Sequence, residues 1–133
     1  MKVSGRYLLD TNVIVDFFKG DQAIRLNLGQ GEFFIPSIVI GELYYGAYAS
    51  GLVTKREKRL NELSSFLSIF PVLEVGEKTA NHYGFIKSQL KSMGKPIPEN
   101  DIWIAAMAIE NGLPLVTRDH HFTNLPELII EKW

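Results

Sequence analysis

The feature that most constrains this chain is a regular alternation of short apolar runs with longer segments of helical periodicity. Five apolar runs have the length of buried strands: 7–9, 32–35, 70–75, 114–117 and 128–131. The segments between them repeat apolar residues at spacings of three and four, which is typical of amphipathic helices. Strands that alternate with helices through short loops predict a three-layer α/β/α domain with a central, mainly parallel sheet.

Four longer helices are predicted from this periodicity: 37–49, a charged helix that starts at residue 54, 77–93 and 102–110. Ser37 and Thr54 are the residue types that cap helix N-termini, so each is expected to begin its helix. Gly94 and Asn111-Gly112 follow the last two helices and are suited to ending them. Residues 102–110 (IWIAAMAIE) are apolar nearly all round, which predicts a buried helix.

Length and composition narrow the class of protein. A chain of 133 residues with 46% hydrophobic residues is expected to fold as one domain, 1–133. It has no cysteine, which excludes disulfides, thiolate catalysis and cysteine-ligated metals. No apolar run approaches the ~20 residues that span a bilayer, and the first residues lack the pattern of a signal peptide. A soluble cytoplasmic protein is the expectation.

The net charge of −1 means that a polyanion must be held by local patches or metal ions.

Four acidic residues stand at positions where α/β proteins place functional groups. Asp10 and Asp119 each follow an apolar run, Asp101 begins the buried helix, and Glu42 lies one turn into the helix after the second run. Taken singly, each has an ordinary explanation as a helix cap, a solvated side chain or a turn residue. Because ligands bind beyond the carboxyl ends of parallel strands, the four are together predicted to converge at one edge of the sheet.

Converging carboxylates predict a bound cation, since they repel one another and cannot all stay ionised in a cleft without compensation. Oxygen ligands suit Mg²⁺ or Mn²⁺, and the chemistry natural to such a site is metal-assisted hydrolysis of a phosphodiester. The neighbouring His120 and His121 suggest zinc instead. Adjacent side chains usually point apart, however, and His82 is distant in the sequence, so a histidine-ligated metal is disfavoured.

The acidic residues lie in motifs that resemble those of a known family. DTN from Asp10, ELYYGA from Glu42, NDIWIAA from Asn100 and LVTRDHHF from Leu115 resemble the four acidic motifs of PIN-domain ribonucleases, most closely the VapC toxins of bacterial and archaeal toxin–antitoxin pairs. The resemblance spans nearly the whole chain in the family's order. It implies a compact α/β/α fold, Mg²⁺- or Mn²⁺-dependent endonuclease activity on RNA, and a homodimer held inactive by a cognate antitoxin.

The same resemblance implies roles for individual residues. The acidic tetrad would be Asp10, Glu42, Asp101 and Asp119. Asp10 and Asp101 would be the principal metal ligands, and Glu42 and Asp119 would complete the site directly or through water. The motifs also contain Thr11, Asn12 and Thr117, which would orient ligands or phosphate. Many VapC-like sequences have Asn at the position of Asp119.

Other classes remain open at this point. A phosphatase that forms an aspartyl-phosphate at Asp10 would usually carry a second Asp two residues on, where this chain has Asn12. A non-catalytic metal-binding module or a phospho-acceptor regulatory domain would also place an acid after a strand. Metal-dependent cleavage of RNA would distinguish a nuclease from these modules.

Two surface features lead to predictions about partners. Residues 78–98 contain four lysines and no acid, and Lys87, Lys91 and Lys95 are predicted to hold RNA phosphates. A solvated basic helix face is the alternative. Tyr44, Tyr45 and Tyr48 are predicted to form a homodimer or antitoxin interface, since tyrosine is enriched at interfaces. Burial against the chain's own next helix is the alternative.

Overall fold

The computed structural model describes residues 5–133. The first four residues of the predicted domain, and with them part of the signal-peptide expectation, lie outside the described residues. Five strands form one sheet in the order β3-β2-β1-β4-β5, and every neighbouring pair is parallel. They are β1 (Arg6–Leu9), β2 (Glu32–Pro36), β3 (Val72–Leu73), β4 (Leu115–Val116) and β5 (Ile130–Glu131). The predicted parallel sheet is confirmed, with the last three strands shorter than their apolar runs.

Six helices lie between the strands. They are α1 (Thr11–Phe18), α2 (Gln22–Leu28), α3 (Ser37–Tyr48), α4 (Val53–Leu67), α5 (Glu77–Ser92) and α6 (Glu99–Asn111). The four predicted longer helices are present, and Gly94 and Gly112 follow the last two with positive φ. Helix α2 is an addition to the predicted set. It has only seven residues, and Asp21 caps it by accepting from the main-chain N–H of Ile24 at 3.1 Å.

Two predicted caps are wrong. Pro36 and Leu52 hold the N-cap positions of α3 and α4, and neither helix has a side-chain cap. Ser37 is therefore the first helical residue, and Thr54 lies inside the first turn. Helix α6 begins three residues before the predicted position 102: Pro98, whose ring fixes φ near −54°, holds the N-cap, and Glu99 is the first helical residue. Asp101 therefore lies within the first turn of α6.

The strand order contains one change of direction. From β1 the chain adds β2 and β3 on one side, and then β4 and β5 on the other. Parallel connections are right-handed, so α1 to α4 cover one face of the sheet and α5 and α6 the other, which completes the three layers. The direction changes between β1 and β4, and it is at such a point that ligands bind in open α/β sheets. Asp10 and Thr117 follow these two strands directly.

The core that supports this edge is apolar and closed. Leu8 and Leu9 of β1, and Leu115 and Val116 of β4, are fully buried, as is the 104–108 segment of α6. The prediction that this helix is buried is confirmed. Among the described residues no helix has the length and apolar character needed to cross a membrane.

Candidate active site

Asp10 is the most buried member of the acidic group. It ends β1 and caps α1, and its side chain is held on both oxygens: Oδ1 accepts from the main-chain N–H of Thr11 at 2.8 Å, and Oδ2 accepts from the hydroxyl of Thr117 at 2.7 Å. Only 3% of the residue is exposed. The carboxylate that caps α1 is therefore also bound to the residue that follows β4.

The electrostatics of Asp10 follow from this position. Burial raises the pKa of its carboxyl group to about 6, although the hydrogen bonds from Thr117 and Thr11 act in the opposite direction. Repulsion from Asp101 and Glu42 raises the pKa further. These two carboxylates are thus close enough to raise the pKa of Asp10, as expected for acids that converge at one edge.

Glu42 reaches the edge from α3. Its Oε1 accepts from the hydroxyl of Thr11 at 2.7 Å, and Thr11 is the residue whose main-chain N–H binds Asp10. Thr11 therefore bridges two of the predicted acids. Glu42 lies in the part-buried mouth of a groove and is not a solvated residue on an outer helix face.

Asp101 and Asp119 meet through a histidine. The Nδ1 atom of His121 lies 2.7 Å from Oδ2 of Asp101 and 3.0 Å from Oδ1 of Asp119. Burial raises the pKa of Asp101, against the effect of its hydrogen bond with His121, and repulsion from Asp119 and Glu42 adds to the rise. The hydrogen bond with Asp101 is also the main reason that the pKa of His121 is raised.

The loop after β4 is fixed by short-range hydrogen bonds. Oγ1 of Thr117 accepts from the main-chain N–H of Asp119 at 3.0 Å, and Oδ1 of Asp119 accepts from the main-chain N–H of His121 at 3.0 Å. The next residue, Phe122, is completely buried. Asp119 and His121 are therefore presented by a loop that is anchored at both ends.

Asn12 and Arg118 join this loop to α1. Oδ1 of Asn12 accepts from the main-chain N–H of Arg118 at 3.2 Å. The guanidinium group of Arg118 binds Asp16 at 2.9 Å and Asp21 at 2.8 Å, and it also donates to the main-chain oxygen of Trp133. No sequence pattern predicts this ion-pair network, because its members are about 100 positions apart.

The residues at this edge suit a divalent cation. Asp101, Asp119 and His121 each offer a ligand atom, and these atoms lie within 4.8 Å of one another. Asp10 and Glu42 add further carboxylate oxygens, and burial, with a smaller contribution from carboxylate repulsion, raises the pKa of Asp10 and of Asp101. Oxygen-rich ligand sets of this kind bind Mg²⁺ or Mn²⁺.

A family model described as the PIN domain matches residues 7–128. The chain belongs to the PIN-domain family. Among curated proteins it is similar to ribonuclease VapC2 of Haemophilus influenzae, with 37% identity, and to the tRNA(fMet)-specific endonuclease VapC of Shigella flexneri, with 33%. Each similarity covers 96% of this chain and 98% of the relative.

Solved structures agree with this PIN-domain assignment. The VapBC2 complex of Rickettsia felis, bound to a promoter DNA fragment, contains a chain with 33% identity and a TM-score of 0.88. The DNA-bound VapBC complex of Salmonella typhimurium contains one with 33% identity and a TM-score of 0.86. Both matches cover 96% of this chain and 98% of the solved chain. The resemblance inferred from the four acidic motifs is confirmed.

A basic groove adjoins the acidic edge of this PIN domain, that is, the edge of the sheet where the four predicted acids lie. It has a volume of about 460 Å³, lies between α1, α3 and α4, and reaches Thr11 and Glu42 at one end. Four cationic side chains line it: Lys19, Lys55, Lys58 and Arg59. The predicted RNA-binding lysines lie elsewhere, on α5 and the loop after it.

The environment of those lysines differs from the expectation in one respect. Lys87 is neither a fully solvated cation nor one left to bind phosphate alone: its Nζ lies 3.1 Å from the Tyr83 hydroxyl and forms an ion pair with Glu99 at 3.0 Å. Glu99 stands one residue beyond the acid-free segment 78–98, so the lysine pattern alone does not reveal this partner. Lys91 and Lys95 are exposed.

The tyrosines of α3 are at the surface. Tyr45 is 76% exposed and Tyr48 59%, and the rings of Tyr44 and Tyr48 stack with centroids 6.3 Å apart. The alternative expectation, burial against the chain's own next helix, is therefore wrong. Exposed Leu52 and Val53 continue the apolar surface into the α3–α4 connection.

His121 is a residue of the acidic edge that the sequence did not lead us to expect there. Of the two adjacent histidines, His121 contacts the carboxylates, and no described hydrogen bond joins the His120 ring to them. A histidine-ligated metal is disfavoured by the sequence, yet one of the two rings lies within hydrogen-bond distance of Asp101 and Asp119. No spacing in the sequence places His121 beside Asp101, because the two residues are 20 positions apart.

Proposed function

We propose that this chain is a divalent-metal-dependent endoribonuclease that hydrolyses RNA phosphodiester bonds, and that it acts as the toxin of a toxin–antitoxin pair that inhibits translation or growth. In this proposal residues 1–133 form a single PIN-like nuclease domain. The observation that carries it is the convergence of Asp10, Glu42, Asp101 and Asp119 at the point where the sheet order changes direction, with the pKa of Asp10 raised to about 6.

Each residue of the site has a proposed role in binding the metal or in positioning its ligands. Asp10 and Asp101 hold Mg²⁺ or Mn²⁺, and Glu42 and Asp119 complete the site directly or through water. When bound, the cation supplies Lewis acidity, which lowers the pKa of a water molecule and offsets negative charge on the phosphate. Thr117 and Thr11 orient Asp10 and Glu42 through the hydrogen bonds described above. Asn12 accepts a hydrogen bond from the main-chain N–H of Arg118 and so holds the loop that carries Asp119.

The basic groove provides a path for RNA to this site. Its four cations line the same groove as the acids Glu42 and Glu62, so a backbone phosphate held by them would continue towards the acidic edge. Phosphate contacts supply sequence-independent affinity, and a chain with a net charge of −1 needs them locally. Lys91 and Lys95 are a second path, with Lys87 weakened by its ion pair with Glu99.

Partners are proposed from the relatives. The solved relatives are chains of VapBC complexes, and we extend to this chain a cognate antitoxin that inhibits it. The exposed tyrosines of α3 favour a homodimer or an antitoxin contact on that helix, because aromatic side chains are enriched at interfaces. Action on cellular RNA under antitoxin control implies a cytoplasmic location.

A phospho-acceptor role for Asp10 is less well supported. Aspartyl-phosphate enzymes usually carry a second Asp two residues on, where this chain has Asn12, and the curated relatives are ribonucleases. A metal-binding module without catalysis would keep the same ligands, so activity itself has to be measured.

The test is cleavage of RNA by the purified protein with Mg²⁺, with Mn²⁺ and with a chelator. We expect metal-dependent endonucleolytic products, a loss of several orders of magnitude in Asp10→Asn and Asp101→Asn, and no loss in the matched control Glu74→Gln, whose side chain is exposed. Metal binding without cleavage would identify an adaptor. Full cleavage by a folded Asp10→Asn protein would contradict the assignment of the ligands.

A further inference from the structure

A histidine ring nitrogen lies among the carboxylates of the acidic edge. Nδ1 of His121 lies 2.7 Å from Oδ2 of Asp101 and 3.0 Å from Oδ1 of Asp119. An octahedral cation with bonds of about 2.1 Å separates neighbouring ligand atoms by about 3.0 Å, the bond length multiplied by the square root of two. The nitrogen therefore lies from each of the two oxygens at about the spacing of neighbouring corners of one coordination shell, and all three atoms lie within 4.8 Å of one another.

The position of His121 is built by the fold. Its main-chain N–H donates to Oδ1 of Asp119 at 3.0 Å, and the following Phe122 is fully buried. Asp119 is in turn held by the hydroxyl of Thr117. Half of the His121 side chain is open to solvent, so its placement towards the carboxylates is not imposed by burial of the ring itself.

We propose that His121 is a metal ligand of this site, and that its nitrogen makes the site prefer Mn²⁺ to Mg²⁺. This inference rests on the proposed metal-dependent function. Mg²⁺ is best served by oxygen ligands and keeps several waters, whereas imidazole is a ligand of transition metals. Of the two cations proposed, Mn²⁺ is the transition metal, so a nitrogen donor shifts the balance towards it.

The competing explanation is that His121 is only a counter-cation, which pairs with Asp101 and Asp119 and leaves when a metal enters. The two explanations predict opposite results when the ring is removed. Loss of a ligand weakens Mn²⁺ binding, whereas loss of a competing cation leaves it unchanged or strengthens it.

The experiment is metal binding to the full chain without RNA. Calorimetric titration with MnCl₂ and with MgCl₂ gives the two affinities, and pulsed electron paramagnetic resonance of bound Mn²⁺ detects a coordinated nitrogen directly. We expect nitrogen coupling in the parent, its loss in His121→Ala, and at least about a tenfold loss of Mn²⁺ affinity with a smaller change for Mg²⁺. The matched control is His120→Ala, the exposed neighbouring histidine, which should bind like the parent.

A second variant provides an internal check. His121→Asp replaces the nitrogen with an oxygen donor, and should abolish the preference for Mn²⁺ while Mg²⁺ binding persists. Mn²⁺ bound to the parent without nitrogen coupling would overturn the inference, as would unchanged or tighter Mn²⁺ binding in His121→Ala. The parent spectrum decides the matter even if a variant fails to fold.

These outcomes are distinct from failure of the proposed function. Nitrogen coupling in a protein that cleaves no RNA would sustain the role of His121 and reject the nuclease. Metal-dependent cleavage without nitrogen coupling would support the nuclease and reject His121 as a metal ligand. Failure of the parent to bind either metal would overturn both.

Discussion

The hydroxyl of Thr117 donates a hydrogen bond of 2.7 Å to Oδ2 of Asp10, a residue 107 positions earlier in the chain. The bond joins the ends of β1 and β4, the two strands between which the sheet order changes direction. It is also the largest influence that lowers the pKa of Asp10 against the effect of burial. One side-chain hydrogen bond therefore joins the ends of two paired strands and also influences whether Asp10 is ionised.

The first prediction concerns this bond. Thr117→Val keeps the shape but removes the hydroxyl, so the pKa of Asp10 should rise above about 6. Loss of the hydrogen bond should lower the free energy of unfolding by about 1–3 kcal/mol, because Asp10 and the N–H of Asp119 both lose a partner. Carboxyl NMR titration and urea denaturation measure the two effects. Thr117→Ser should restore both values, and the exposed Thr54→Val should change neither.

The second prediction concerns pH and the metal-free protein. The pKa of Asp10 is about 6 in the folded state, against an ordinary value of 3.8 for an aspartate in an unfolded chain, so the folded state binds the proton more tightly. Ionised Asp10 therefore costs stability at pH 7, and this cost falls as the pH is lowered from about 7 to about 4. A shift of about two units corresponds to about 3 kcal/mol.

Asp10→Asn should remove this cost, because Oδ1 of the amide can still accept from Thr11 and the Thr117 hydroxyl can accept from its NH₂ group. The variant should be more stable than the parent at pH 7 by up to about 3 kcal/mol, and the difference should shrink towards pH 4. Urea denaturation in chelator across this range measures it. Parallel stability curves for the two proteins would show that the charge of Asp10 does not destabilise the fold.

The third prediction distinguishes the two basic surfaces. In a cleavage-dead Asp101→Asn background, the triple variant Lys55→Glu, Lys58→Glu, Arg59→Glu should weaken RNA binding and reduce the slope of log affinity against log salt by about one unit for each phosphate that is no longer neutralised. The triple variant Lys87→Glu, Lys91→Glu, Lys95→Glu should have the smaller effect, because Lys87 is already neutralised by Glu99. Filter binding over a salt series measures both slopes. A larger effect of the second triple variant than of the first would indicate that RNA binds along α5.

The fourth prediction concerns association. Tyr45→Ser and Tyr48→Ser, made together, should shift the protein towards the monomer or weaken antitoxin binding, because both rings are largely exposed in the single chain. Sedimentation velocity at micromolar to high micromolar concentration measures the first effect. Phe85→Ser, at an exposed apolar residue on α5, is the matched control. A parent that is monomeric throughout, with an unchanged affinity of the double variant for the antitoxin, would reject an interface on α3.

The local features of the site were predictable from the sequence. Asp10 and Asp119 could be placed because a short apolar run followed by an acid marks the end of a buried strand, and both do follow strands. Asp101 could be placed because a proline-rich turn precedes a helix that is apolar on all sides. The parallel sheet follows from the alternation itself, since parallel neighbours need a crossover between them.

The sequence predicted that the four acids converge, but the individual contacts between distant residues were decided only by the tertiary structure. Pairing of β1 with β4 brings Thr117 to Asp10, and no periodicity in either segment encodes that partnership. The same holds for His121 between Asp101 and Asp119, and for Glu99 beside Lys87. Periodicity depends on neighbours within a few positions, and it therefore determines elements and their buried faces. Contacts between distant residues depend on strand order and side-chain direction, which are set only when the whole core packs.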